Sequence, residues 1–364
     1  MTPRSVTLED VAKLAGVSYQ TVSRVLNHSA QVSAATREKV SAAMLQLNYV
    51  PNRVAQQLAG KATRSIGLAT TDLMLQAPAQ IASAIQHRAA ALGYQLVIAM
   101  ADLPGFPSAQ AAVNDLLAQR VDGLLLNLPL QNDEAQALDK LSAQLPCLFM
   151  DVASDADVSH CQFSASQGAR QGVEHLYALG HRQIALINGP LSSVSAMQRF
   201  QAWQSVLAEY QLTPHSVHQG DWSAQSGYQA VRSLLPDNLP GALLVANDQM
   251  ALGAMRALHQ HGIRIPQQIS IVGYDDTAES AWYQPPLTTI RQDIRLLGQQ
   301  SVDRLVAAIQ RQQQAEPLTS LATELVVRET TASVNQGADM AEVARQLTAL
   351  AQQLRGLKNS ITPE

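Results

Sequence analysis

Polar side chains of a common character stand at the ends of predicted strands: Asn127, Asp151, Arg199, Asn247 and Asp275, with Trp222 close to another strand end in QGDWSAQSG. Carboxylates, amides and a guanidinium can each satisfy several hydroxyls, and an indole covers the apolar face of a ring. A sugar presents both surfaces, so the set describes a carbohydrate site. An isolated aspartate at a strand end has a plainer use as a cap for the next helix, and each residue taken alone is open to that reading. A second set lies near the start of the chain. Tyr19, Gln20, Ser23 and Arg24 fall on the outer face of a short predicted helix. In a DNA major groove glutamine pairs bidentately with adenine and arginine with guanine, while tyrosine offers a hydroxyl and a ring edge.

The remaining sequence lacks the spacing that catalysis or metal binding requires. The turn after the first core strand reads TTDLMLQAP, without G-x-G-x-x-G, and no GKS/GKT loop or G-x-S-x-G elbow occurs. His259/His261 and His215/His218 are the close histidine pairs, and no acidic or thiol ligands are arranged around them. Surface or helix-end placement is expected for all of these histidines. No enzyme activity, cofactor or metal is expected. Cys147 and Cys161 sit in apolar stretches and read as buried reduced thiols.

The elements that must position these residues follow from periodicity. In T-L-E-D, Thr7 and Asp10 have the spacing of a capping box, with Val6 and Val11 placed as a hydrophobic staple. Gly16-Val17 forms a tight turn, Ser18 caps a second helix facing Val22, Val25 and Leu26 inward, and a third helix from about Ser33 to Leu47 buries Val40, Met44 and Leu47. The pattern fits a helix-turn-helix domain or a generic three-helix bundle with a solvated face. Residues 1–61 carry a net +4 and the remainder −8, which points the front end at a polyanion.

From Ser65 onward, SIGLATT, YQLVIAM, VDGLLLNL, LPCLFMDV, HCQFSA, RQIALING, HSVHQGD, ALLVAND and ISIVGYDD read as strands, with helical stretches between them. Alternating βα units imply parallel sheets covered on both faces, and their number implies two lobes with a ligand crevice between them. Near the C-terminus Val343, Leu347, Leu350, Leu354 and Leu357 keep a/d heptad spacing. That segment is either an associating coil or a helix folded back on the core. Gly356 weakens it by up to about 1 kcal/mol relative to alanine.

The run VTLEDVAKLAGVSYQTVSRVLN, its continuation TREKVSAAMLQLNYVPNRVAQQLAGK, and the core motifs GPLSSVSA, VANDQMALGAMRAL, IVGYDDT and PPLTTIRQD resemble the LacI/GalR repressor family. The resemblance implies a sequence-specific transcriptional repressor of a lactose-type operon, released from double-stranded operator DNA by a galactoside inducer. The implied DNA contacts are Ser18, Tyr19, Gln20, Thr21, Ser23, Arg24, Asn27, Asn52, Ala55 and Leu58. It also implies a hinge helix, from Arg53 to about Ala59, that forms on DNA and wedges Leu58 into the minor groove. By pattern alone that segment reads as a plain linker in which Leu58 is incidental. The implied inducer pocket is Leu75, Ala77, Pro78, Ile81, Asn127, Asp151, Phe163, Arg199, Trp222, Asn247, Asp275 and Gln292. Ile294 departs from the pattern where an aromatic is expected, and Met150 replaces a leucine. The C-terminal heptads match a tetramerisation helix, implying a homotetramer built as a dimer of dimers.

The expected fold is thus α/β: a three-helix headpiece (1–50), a hinge (51–62), a two-lobed periplasmic-binding-protein-like core of doubly wound parallel sheets (63–332), a linker (333–339) and a leucine-heptad helix (340–358). Within the core, the first lobe takes about 63–163 and 292–321, and the second about 164–291 and 322–332. A periplasmic sugar-binding protein would share this core, but it needs a secretory signal and no headpiece. The N-terminal MTPRSVTLEDVAKLAG shows no apolar core of a signal peptide, and no apolar run approaches the roughly 18 residues that span a bilayer. A cytoplasmic location with no membrane contact is expected.

Overall fold

The computed structural model describes residues 6–26, 31–50, 63–101, 105–153, 155–235, 238–315 and 320–334. The chain divides into two compact units, residues 1–63 and 64–364. In the first unit the Thr7 hydroxyl accepts from the Asp10 amide at 3.3 Å, and the Asp10 carboxylate accepts from the Thr7 amide at 2.8 Å. This closes the capping box of α1 (Leu8–Ala15). Gly16 ends α1 at φ 66°, a left-handed conformation that a Cβ would penalise, and so directs the chain into α2 (Tyr19–Leu26). The Ser18 hydroxyl caps α2 by accepting from the Thr21 amide at 3.1 Å. The third helix, α3 (Ala34–Gln46), starts on Ser33.

Val11, Val22, Val25 and Val40 are buried together between these helices. Ala43 takes the central place expected of Met44 and Leu47, which lie half-buried at the margin of the cluster. Val6 stays exposed rather than stapling against Val11.

In the second unit, β1 (Ser65–Thr70), β2 (Gln95–Met100), β3 (Gly123–Asn127) and β4 (Cys147–Phe149) form a parallel sheet in the order β2-β1-β3-β4. Its connections are α4 (Gln76–Ala91), α5 (Phe106–Ala118) and α6 (Asn132–Leu141). Strand side chains alternate between faces. Ile66, Leu68 and Leu125 join Ile81 and Ile85 of α4 on one face, while Ala69, Leu124 and Leu126 join Val113 and Leu116 of α5 and Leu138 of α6 on the other.

The second sheet contains β5 (Ile184–Asn188), β6 (Val217–Gln219), β7 (Ala242–Val245), β8 (Ser270–Asp275), β9 (Thr288–Arg291) and β10 (Glu324–Val326) in the order β10-β9-β8-β7-β5-β6. All pairings are parallel except β10 against β9. The helices of this lobe are α7 (Ala165–Ala178), α8 (Val194–Glu209), α9 (Ala224–Leu234) and α10 (Asp248–Gln260). After β9 the chain returns to the first lobe, where α11 (Ile294–Arg311) packs Leu297, Val302 and Leu305 into the α4 cluster. The lobe crossings run side by side: the Ser164 amide donates to Leu321 at 2.9 Å, and the Leu321 amide to Gln162 at 2.7 Å.

HCQFSA is therefore not a strand of either sheet. It is the first crossing, tied only by isolated bridges from Phe149 to His160 and from Phe163 to Leu321. The segment meets the free edge of β4 at the single Phe149–His160 bridge and then leaves it, so its apolar residues never extend a ladder. Among the described residues, no helix is long and apolar enough to cross a membrane.

Helices α9 and α10 meet backbone to backbone. A Cβ at Gly253 would lie 1.7 Å from the Ala224 carbonyl oxygen, and one at Gly227 would lie 2.0 Å from that of Met250. Gly253→Ala is expected to destabilise this unit by roughly 3 kcal/mol, the upper end of typical overpacking costs. Calorimetric unfolding reads the change, and an unmoved transition would show that the helices separate freely.

Candidate functional site

Where the strands of both lobes end, they enclose a cleft of about 600 Å³. The first lobe supplies an apolar arm: Leu75, Ala77, Pro78 and Ile81 around the start of α4, with Met150, Phe163, Ile294 and Leu297. Asn127 at the end of β3 and Asp151 just after β4 add polar atoms. The second lobe contributes Arg199 from α8, Trp222 from the loop before α9, Asn247 ahead of α10 and Asp275 from the end of β8. Gln292 lies on the crossing between β9 and α11. Every pocket position named from the sequence faces this one cavity. Ser193, Gln198, Gln249 and Leu297 also line it and were not foreseen. Ser193 looks like a plain helix cap, which it is for α8, and Gln249 and Leu297 carry no signal that separates them from ordinary helix residues.

Arg199 organises the polar wall. It is 7% exposed, and its guanidinium donates to Asp275 at 3.3 Å, to Gln292 at 3.1 Å and to the Ala246 carbonyl. The same group stacks over the Tyr274 ring with its carbon 3.8 Å from the centroid, and lies 5.7 Å from the centroid of Trp222. Asn247 does two jobs. Its Oδ1 accepts from the Met250 amide at 2.8 Å, capping α10, while its Nδ2 donates to the Trp222 carbonyl at 3.0 Å. The capping alternative is thus correct for Asn247 without removing it from the cleft. Asn127 donates to Thr70 Oγ1 at 3.3 Å.

Trp222 adopts φ 75° and packs against Gly189, where any Cβ would approach the indole to 2.5 Å. A bare backbone is what lets the ring lie there. The lobes also touch across the cleft: Gln198 donates to the Val152 carbonyl at 3.0 Å, and Gln76 to Glu279 at 2.8 Å.

Burial pushes Asp151 and Asp275 up to about 6, although the Arg199 charge opposes the shift at both. Asp151 is held down further by a hydrogen bond from the Ser195 backbone, and Asp275 by one from the Arg199 side chain. At neutral pH the cleft therefore offers two carboxylates as acceptors, with a fixed cation and amides beside them. This suits a neutral, hydroxyl-rich ligand with one apolar face. Among the described residues, no cluster of histidine, cysteine and carboxylate groups could hold a metal ion.

In the headpiece, Tyr19 is 52% exposed, and Gln20 and Arg24 are exposed beside it on α2. Ser18 spends its hydroxyl on the helix cap, and Thr21 and Ser23 are half-buried. Asn27, Asn52, Ala55 and Leu58 lie outside the described residues, as do the heptad positions Val343, Leu347, Leu350, Leu354 and Leu357.

A helix-turn-helix unit and a two-lobed core with a polar cleft define a ligand-responsive DNA-binding regulator. Residues 7–52 match the bacterial regulatory proteins of the lacI family, and residues 173–331 match the periplasmic binding protein-like domain. The chain is 52% identical to the lactose operon repressor of Escherichia coli (strain K12), covering 98% of this chain and 99% of that protein. It is 42% identical to the lactose operon repressor of Klebsiella pneumoniae, covering 97% of this chain and all of that protein. The crystal structure of the lac repressor dimer bound to operator and the anti-inducer ONPF superposes with a TM-score of 0.85 at 53% identity, covering 90% of this chain and 100% of that one. The chain belongs to the lacI family of bacterial regulatory proteins. It is a DNA-binding transcriptional repressor, not an enzyme.

The raised Asp275 has a sign that can be measured. Its neutral form stabilises the fold below its ordinary value of 3.8, and that contribution is lost as pH rises through about 6. Asp275→Asn cannot ionise. Its stability relative to the unaltered protein should therefore climb by on the order of 2 kcal/mol between about pH 4 and pH 7. Urea unfolding across that range checks it, and a pH-independent difference would contradict the burial argument.

Proposed function

We propose that this repressor binds a pseudo-palindromic operator of a lactose-type operon and releases it when an allolactose-like galactoside enters the core cleft. The observation that carries this reading is the polar wall of Arg199, Asp275 and Gln292 beside the Trp222 face within one cavity. The hydroxyls of the sugar meet the wall and its apolar face meets the indole, while the apolar arm takes the remainder of the ligand. The exposed Tyr19, Gln20 and Arg24 read base edges in the major groove.

In this reading residues 1–50 form the headpiece, 51–62 a hinge ordered on DNA, 63–332 the sensor, 333–339 a linker and 340–358 a helix that assembles a dimer of dimers in the cytoplasm. The ligand acts by linkage: it prefers the lobe arrangement in which paired hinges cannot both engage the duplex. Each tenfold loss of operator affinity then requires about 1.4 kcal/mol of coupling.

A gel shift on a symmetric lactose-type operator, with and without a thiogalactoside, tests the proposal. The retained complex should weaken as the galactoside is added, and a complex indifferent to every galactoside would remove the inducer assignment. Arg24→Ala should cost operator binding about 1–3 kcal/mol, concentrated at one base pair of each half-site. An equal loss on all sequences would instead make Arg24 a phosphate contact.

A further inference from the structure

Asp248, one residue beyond Asn247, begins α10 and is completely buried. Its Oδ2 accepts from the Thr277 amide at 3.0 Å and from the Ser280 hydroxyl at 2.6 Å, and its Oδ1 accepts from the Thr289 hydroxyl at 2.6 Å. The hydroxyls of Thr277 and Ser280 lie 2.8 Å apart, so the donors form a connected set. The Tyr283 hydroxyl reaches the Asp248 carbonyl at 3.4 Å. Gly273 leaves the space the carboxylate occupies, since a Cβ there would sit 2.3 Å from Oδ1.

Each donor belongs to a segment that delivers a residue to the cleft. Thr277 and Ser280 follow Asp275 closely, Thr289 precedes Gln292 on β9 and its crossing, and Asp248 itself sits between Asn247 and Gln249. At the end of β8 the backbone runs through φ 113° at Asp275 and 55° at Asp276, conformations that other residues must hold in place. A carboxylate with neutral donors only is a costly way to join segments. Burial and the nearby Asp275 charge push this one up to about 7.

We infer that Asp248 is a positioning residue for the ligand site: through one buried carboxylate it fastens the segments bearing Asn247, Asp275 and Gln292 into a single wall. The inference rests on the galactoside reading only for its choice of probe. Asp248→Ala strands the Thr277 amide and loosens the loop after β8 beyond Asp276, which Arg291 and Arg328 still hold, whereas Asp248→Asn keeps an oxygen for that amide and an NH2 that can donate to a hydroxyl oxygen.

The experiment compares the full-length protein with both variants by two measurements. In galactoside titration followed by tryptophan fluorescence, Asp248→Ala should weaken binding about tenfold while Asp248→Asn stays within about threefold, with operator binding in the absence of ligand unchanged for both. In amide hydrogen exchange without ligand, Asp248→Ala should raise exchange of the segment 277–280 and Asp248→Asn should not. Unchanged exchange in that segment overturns the inference whatever the ligand proves to be. So does loss of stability and operator binding in Asp248→Ala that the asparagine variant shares. If the unaltered protein takes no galactoside, the functional reading fails, and the exchange comparison alone decides the role of Asp248.

Discussion

A guanidinium cannot shed its proton inside a protein, so a chain that buries one must bring partners to it. Arg199 lies nearly sealed between the lobes, and its partners come from the ends of β7 and β8 and from the crossing after β9. Those attachments hold the Asp275 and Gln292 side chains together on one wall of the cleft. The same charge keeps Asp151 and Asp275 below the values that burial alone would impose. Without it the acceptors would become acids, and the wall would present a different pattern of donors. Tyr274 supplies an aromatic bed beneath the cation, and Gly168 permits that bed, since a Cβ there would meet the tyrosine oxygen at 2.3 Å.

Much of this was legible in the residues. The capping box at Thr7 and Asp10, the turn at Gly16 and the alternation of apolar strands with helices are local signals, and local physics decides them. The cleft residues showed themselves as polar groups at strand ends, where a parallel sheet puts its binding sites. Other features depended on non-local facts. HCQFSA has the composition of a strand, and it is a crossing because it leaves the edge of β4 after a single bridge. The return to the first lobe that separates β9, α11 and β10 is announced by no periodicity, and the expectation of it comes from the family resemblance. Met44 and Leu47 lie at the margin of the headpiece core while Ala43 is buried in it, a difference of helix orientation that apolar spacing alone does not settle. Asp248 reads as an ordinary acid in a first helical turn, and its importance comes from donors on segments about 30 to 40 residues away.

The two units divide the physics between them. The headpiece has a small apolar cluster and an outer face of tyrosine, glutamine and arginine, and its segment of the sequence is basic. The core carries the acidic balance and most of the buried apolar surface. Charge of opposite sign on the two units means that attraction to a polyanion is concentrated where base reading is possible, and the sensor adds none of its own.

The crossings between the lobes also constrain how such a regulator diversifies. The first lobe is completed by α11, which arrives only after the second sheet has been nearly built, and β10 then returns to edge that second sheet. Neither lobe is a continuous stretch of chain. A recombination breakpoint placed between them would leave one lobe without a covering helix and the other without an edge strand. Inheritance by segment exchange must therefore carry the sensor whole, while the headpiece, lying entirely ahead of it, can be traded as a single block.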